Sequence, residues 1–186
     1  MKEHFTERSN NTTCNKRILM KKLPLLLLGL FMLTFQSCGI YSFTGADTGG
    51  ATTFQVNFFE NTADIIEPGL DRAFTVALQD LIQNQTSLSL VNSGGDLLYE
   101  GEIVDYYEAP MTATADNRAA QNRLTITVMV RFYNSIQPAN DFERRFSFYY
   151  DFPATSPLSG GILETALEEI FTRITQEIFN ASLTNW

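Results

Sequence analysis

The sequence predicts an α+β fold, a two-layer sandwich in which a four-stranded sheet carries two helices on one face, in the order β-α-β-β-β-α. Four segments alternate apolar and polar residues with the period of a strand, and two repeat apolar residues with the period of a helix. Strands with one apolar face need a covering layer, which two amphipathic helices supply. The chain from Cys38 to Trp186 is long enough to bury one core.

The strands are predicted from alternation. The four segments are residues 53–59, 97–104, 123–133 and 142–150. The third has the clearest pattern, with one face formed by Leu124, Ile126, Val128, Val130 and Phe132. In the last, Arg144 falls on the apolar side, which indicates a place near a sheet edge where its charge reaches water.

The helices are predicted over residues 70–81 and 163–178, where apolar side chains recur at helical spacing. Residues 88–91, LSLV, could form a further short strand, and Gly94-Gly95 lies in a turn. Residues 108–122 show no periodicity and are the longest loop candidate.

An export signal precedes this domain. Lys21 and Lys22 are basic, residues 23–33 are apolar and uncharged, and Ser37 stands directly before Cys38. This is the layout of a secretory signal peptide, and its apolar run is shorter than the roughly 20 residues that span a bilayer. Because a cysteine directly follows the cleavage site, as in a bacterial lipobox, we predict that Cys38 is lipidated. A stray or buried thiol would explain neither its position nor the apolar run.

The chain is accordingly divided into four parts. Residues 1–19 are polar and patternless, and we interpret them as a misassigned start region before a true start at Met20. Residues 20–37 are the lipoprotein signal peptide. Residues 38–52 are rich in Gly, Thr and Ser and predict a flexible tether. Residues 53–186 form the single α+β domain.

Composition restricts the chemistry of the chain after residue 37. That part has 7 arginines against 19 carboxylates, a formal net charge of −12, and it has no lysine, no histidine and no cysteine besides Cys38. These absences exclude Ser-His-Asp and Cys-His catalysis, Schiff-base lysines, and metal sites built on His or Cys. Carboxylate chemistry and oxygen-ligated calcium remain possible, but no D-x-D-x-D-G loop occurs, so we expect no enzymatic activity, no cofactor and no metal. The scarcity of basic residues argues against nucleic-acid binding.

Four segments occur in an order that points to a known family. They are CGIYSFTG at residues 38–45, LVNSGGDLLYEGEI at 90–103, AAQNRLTITVMVRF at 119–132, and the terminal Asn185-Trp186. Together they resemble the LptE family of lipopolysaccharide-assembly lipoproteins, in the form found in Bacteroidetes. The resemblance covers essentially the whole chain from Cys38, and the family's order of strands and helices is the one predicted above.

The resemblance implies a non-enzymatic lipoprotein that is anchored in the inner leaflet of the outer membrane and faces the periplasm. Family members sit inside the lumen of LptD, a large β-barrel, as plug and assembly factor, and the two proteins together insert lipopolysaccharide into the outer leaflet. The implied partners are therefore an LptD-like barrel and lipopolysaccharide. An acidic domain suits a barrel lumen that is polar.

Direct contact with lipopolysaccharide phosphates would require basic residues, and Arg118, Arg123 and Arg131 are the cluster that the sequence offers. We favour the alternative that they pair across strands with carboxylates such as Glu100, Glu102 and Glu143. A second choice concerns Phe142, Phe146 and Phe148, which could line a lipid pocket but are expected to pack under the helices.

Two further functions come from other classes of protein. A periplasmic lipid carrier or transporter-accessory lipoprotein would use an apolar groove between the sheet and the helices. A carboxylate-dependent hydrolase would need two acidic side chains that converge in a cleft at about 5 to 9.5 Å.

Overall fold

A mixed six-stranded sheet and two helices make up the computed structural model, which describes residues 46–111 and 120–184. The predicted lipid anchor Cys38, the tether up to residue 45, Arg118 and Trp186 lie outside the described residues. The elements in chain order are β1 (Thr53–Val56), β2 (Glu60–Asn61), α1 (Leu70–Gln85), β3 (Ser89–Leu90), β4 (Leu97–Met111), β5 (Gln121–Asn134), a 3-10 turn (Pro138–Asn140), β6 (Phe142–Pro153) and α2 (Gly161–Leu183).

The sheet combines an antiparallel meander with short parallel strands. Its order is β3-β1-β4-β5-β6, and β2 also pairs with β4. Strands β4, β5 and β6 are antiparallel neighbours, whereas β1 and β2 run parallel to β4, and β3 runs parallel to β1. The prediction of an α+β fold with two helices is confirmed. The prediction of four strands is wrong, because β2 and β3 add two strands of two residues each.

The first predicted strand, residues 53–59, is interrupted. Phe54 is fully buried, as the alternation predicts, but Phe58 is 54% exposed and Phe59 is fully buried in its place. The Asn57 N–H still donates to the Tyr99 carbonyl before the chain leaves the ladder. The ring of Phe59 then enters the core against Phe74 of α1, at a centroid distance of 5.1 Å. This one-residue shift separates β1 from β2.

Strand β4 continues well past its predicted end at residue 104. A bulge between Ile103 and Asp105 leaves Val104 without a partner and shifts the alternation by one residue. Tyr106 consequently returns to the core face, where burial and the charges of Glu67 and Glu108 raise its pKa to about 12. Residues 108–111 and 121–122, which were predicted as loop, are therefore the ends of a long hairpin.

The core lies between the helices and one face of the sheet. The five apolar residues predicted on one face of β5 are all fully buried. Helix α1 contributes Phe74, which contacts Phe171 of α2 edge to face at 5.3 Å. Tyr99 of β4 is fully buried, and its hydroxyl donates to Ser182 Oγ of α2 at 2.9 Å. Both helices thus pack on the same face, as the sequence predicts.

The segment before β1 is fixed to this domain. The Asp47 N–H donates to the Leu183 carbonyl at the end of α2, and Ala51 is buried. The Asp96 carboxylate accepts hydrogen bonds from the backbone N–H groups of Thr52 and Thr53 at 2.9 and 3.0 Å. Residues 46–52, the last part of the predicted tether, are therefore held against the end of the sheet where the chain turns from β5 into β6.

Candidate functional site

The outer face of the sheet, which is the face away from the helices, carries two of the three candidate arginines, Arg123 and Arg131. Side chains on a strand alternate between faces, so the residues that alternate with the buried ones of β5 point outward. Three neighbouring strands align them in rows across the sheet. The rows are Glu100–Arg131–Glu143, Glu102–Met129–Arg145, Asp105–Thr127–Ser147, Tyr107–Thr125–Tyr149 and Ala109–Arg123–Asp151.

Arg123 is held by β6. Its Nε and Nη2 donate to the two carboxylate oxygens of Asp151 at 2.7 and 2.9 Å, a bidentate pair. Its guanidinium carbon also lies 3.5 Å from the ring centroid of Tyr149, in a cation–π contact. The hydrogen bond to Asp151 raises the pKa of Arg123. The guanidinium is therefore fixed between a carboxylate and an aromatic ring.

Arg131 is surrounded by carboxylates. Its Nε lies 3.4 Å from Glu100 Oε1, its Nη1 lies 3.8 Å from Glu102 Oε1, and Glu143 is its partner in register on β6. The expected cross-strand pairing with Glu100 and Glu102 is present. The partner of Arg123 was missed, because residue 151 lies one position beyond the predicted end of the last strand. Extending that strand's alternation would have placed Asp151 on the outer face.

The two arginines do not form one site. They are eight residues apart on a single strand, and at roughly 3.4 Å per residue this separates them by about 27 Å. A single phosphate group is too small to contact both. Arg118, the third candidate, lies outside the described residues.

A cleft of about 250 Å³ beside Arg131 is acidic. Glu60, Glu100 and Glu102 line it together with Arg131, and the exposed ring of Phe58 forms part of its wall. Three carboxylates around one guanidinium repel an anion. This cleft is therefore poorly suited to phosphate.

The aromatic side chains of β6 pack mainly against other side chains, and Phe142 also lines one polar cleft. Phe146 is buried, and the ring of Phe142 lies 5.3 Å from that of Phe132 and 6.1 Å from that of Phe146. Beside the acidic cleft, two other clefts in the described part of the chain, of about 230 and 450 Å³, are lined mainly by polar side chains. None of these three clefts offers the apolar groove that a lipid carrier needs.

Two further observations concern the described residues alone. Across residues 46–111 and 120–184, no three His, Cys, Asp or Glu side chains are grouped so as to hold a metal ion. Neither α1 nor α2 has the length and apolar character of a membrane-spanning helix.

The fold and its outer face define a class of small α+β domain with helices on one side of a mixed sheet and a surface of paired charges on the other. The model of the LptE family, described as lipopolysaccharide-assembly, matches residues 51–182, so the chain belongs to this family. Membership implies the role of a non-enzymatic envelope lipoprotein in lipopolysaccharide assembly. A comparison with curated proteins gave no match.

Several solved structures are similar in fold. The hypothetical protein CT253 from Chlamydia trachomatis has a TM-score of 0.49 and 8% identity, covering 72% of this chain and 98% of that chain. The uncharacterized lipoprotein B from Nitrosomonas europaea has a TM-score of 0.46 and 12% identity, covering 77% and 88%. The PelC dodecamer from Paraburkholderia phytofirmans has a TM-score of 0.44 and 7% identity, covering 72% and 90%.

Proposed function

We propose that this chain is an outer-membrane lipoprotein, lipidated at Cys38 and facing the periplasm, that occupies the lumen of an LptD-like β-barrel. In this role it supports assembly of the barrel and the insertion of lipopolysaccharide into the outer leaflet. The observation that carries the proposal is the match of the LptE family model across residues 51–182.

The surface of the domain supports a position inside a barrel. A domain surrounded by a barrel wall needs polar groups on opposite sides, because barrel lumens are polar. The outer face of the sheet provides ion pairs such as Arg123–Asp151, and α2 exposes Glu168 and Glu169 on the opposite side of the molecule. Charges that are already paired lose less on contact with a partner than isolated charges do.

A pull-down tests this proposal. The tagged, lipidated chain is extracted from native outer membranes in detergent, and co-purified proteins are identified by mass spectrometry. We expect stoichiometric recovery of one large outer-membrane β-barrel. Recovery of inner-membrane transporter subunits, or of lipid without a barrel, would overturn the proposal in favour of a lipid carrier. Cys38→Ala serves as the control for anchoring, since it removes the proposed acylation site and keeps the domain.

Contact between lipopolysaccharide phosphates and Arg118, Arg123 or Arg131 is a separate proposal. Arg123 and Arg131 already direct their N–H groups at carboxylates. We therefore expect Arg123→Gln and Arg131→Gln to change lipopolysaccharide affinity by less than about threefold, whereas losing a direct charge-assisted phosphate contact costs about tenfold or more. A tenfold loss in either variant would establish that residue as a phosphate ligand. Arg118→Gln, measured in the same way, tests the third candidate.

A further inference from the structure

Strand β6 is a long edge strand of the sheet formed by the described residues. It extends from Phe142 to Pro153, and in the described part of the chain it pairs with β5 alone. The register with β5 is continuous from Phe132↔Phe142 to Gln121↔Pro153, without a bulge. An edge of this kind presents a row of free backbone N–H and C=O groups, which is a template for pairing with another strand. At the opposite edge, β3 has only two residues.

The composition of β6 increases the tendency of this edge to pair with a strand of another chain. Its core-facing positions carry aromatic side chains at Phe142, Phe146, Phe148, Tyr150 and Phe152. Long, straight, aromatic strands with a free edge favour pairing between chains, because the backbone groups and the aromatic side chains are buried together. The second copy of the chain brings an identical edge, so it is the partner that is always present.

Two arginines stand at this edge. Arg144 is on the core-facing side of β6, opposite Val130, yet it is exposed, and its guanidinium carbon lies 5.5 Å from the Phe142 ring and 6.0 Å from the Phe146 ring. Arg173 of α2 reaches the same strand, with its guanidinium carbon 5.7 Å from the Phe148 ring. Among the described residues, neither guanidinium has a carboxylate within ion-pair distance.

We propose that Arg144 and Arg173 disfavour strand pairing at the edge of β6 and so prevent the chain from associating with a second copy of itself. A strand added at this edge would bury two unpaired guanidinium groups under its own side chains, and the burial of an unpaired charge is costly. If two copies of β6 pair antiparallel with their Phe148 residues opposite each other, the two Arg173 guanidinium groups also come close together, because each lies 5.7 Å from the ring of its own Phe148. The inference concerns the chain on its own and holds whether or not a barrel is its partner.

Sedimentation velocity of the full, lipidated chain in detergent tests the proposal over a range of protein concentrations. The test variant is Arg144→Thr/Arg173→Gln, and we expect its apparent dissociation constant for self-association to fall about tenfold or more. The matched control is Arg145→Thr, which removes one charge from the same strand on the outer face. It is expected to behave as wild type.

An unchanged association constant in a double variant that melts at the wild-type temperature would overturn the proposal, and so would an equal increase in Arg145→Thr. Where Arg144→Thr prevents folding, Arg173→Gln alone supplies the test, because that side chain extends from an exposed position of α2. Stronger self-association of this single variant would support the proposal, and wild-type self-association would contradict it.

Discussion

Gly101 faces the core where β4 and β5 are in close contact. A Cβ built on Gly101 would lie 2.0 Å from the Met129 carbonyl oxygen and 2.7 Å from Cε1 of Phe59. The carbonyl belongs to the neighbouring strand and cannot rotate away. We therefore predict that Gly101→Ala lowers the free energy of unfolding by about 1–3 kcal/mol, as overpacking of a core does.

Urea denaturation measures this effect. Gly161→Ala is the control, because a Cβ at that position of α2 meets nothing within 4 Å, and the replacement should be neutral or slightly stabilising. Equal stability of Gly101→Ala and wild type would show that the two strands separate without cost at this point.

Asp96 fastens the start of β1 through hydrogen bonds that its charged form accepts. The hydrogen bond from the Thr52 N–H, with those from Thr53 and the Thr52 hydroxyl, holds the pKa of Asp96 below its ordinary value. With a lowered folded-state pKa, the stability from this group is fully present above the unfolded pKa of about 3.9 and is lost as pH falls through the folded value.

We predict that, as the pH is lowered from above about 4 to below it, the free energy of unfolding falls more for wild type than for Asp96→Asn. Urea denaturation midpoints measured across this pH range give the slope of stability against pH for each protein, and the two slopes can then be compared. Glu177→Gln, which removes an exposed carboxylate from α2, should keep the wild-type slope. Parallel curves for wild type and Asp96→Asn would refute the role of this carboxylate.

At the scale of elements, Phe74 joins α1 to the rest of the core. Its ring is fully buried and meets Phe59 at 5.1 Å and Phe171 of α2 at 5.3 Å, both edge to face. We predict that Phe74→Ala lowers the free energy of unfolding by about 3–5 kcal/mol. Val76→Ala, two residues along the same helix and 43% exposed, should change it by less than about 0.5 kcal/mol. A similar small loss in both variants would mean that α1 is not held by this aromatic contact.

Periodicity predicts those elements whose pattern is regular over many residues. The core face of β5 and the apolar stripes of both helices follow from it, because each has one side buried along its whole length. The edge position of Arg144 also follows, since a charge on a core face needs access to water.

The predicted and observed strands differ where a single residue changes which face of the sheet the following side chains occupy. Val104 is inserted into β4 as a bulge, and Phe59 replaces Phe58 on the core face, so alternation ceases while the strand pairing continues or resumes. Strands β2 and β3 have two residues each, too few to show a period. The pairing of Arg123 with Asp151 depends on where β6 ends, which alternation alone does not fix.

At the scale of the molecule, an acidic domain exposes polar groups on both of its broad sides. The chain after residue 37 carries a formal net charge of −12, and Arg123 and Arg131 on the outer face are paired with carboxylates in neighbouring strands. Such a surface fits a polar protein wall better than an anionic lipid headgroup. We therefore expect a protein partner, rather than lipopolysaccharide, to contact most of this surface.

If a barrel surrounds the domain, as we propose, residues on opposite sides of the domain should contact the same barrel, and crosslinking tests this most directly. A photoreactive amino acid is introduced at Tyr107, which is exposed on the outer face of the sheet, or at Glu169 on the exposed side of α2, with the buried Ile174 as control. After irradiation of native membranes, both exposed positions should crosslink to the same large outer-membrane β-barrel, and position 174 should not. Crosslinks from one side only, or to a protein other than a barrel, would contradict enclosure within a lumen.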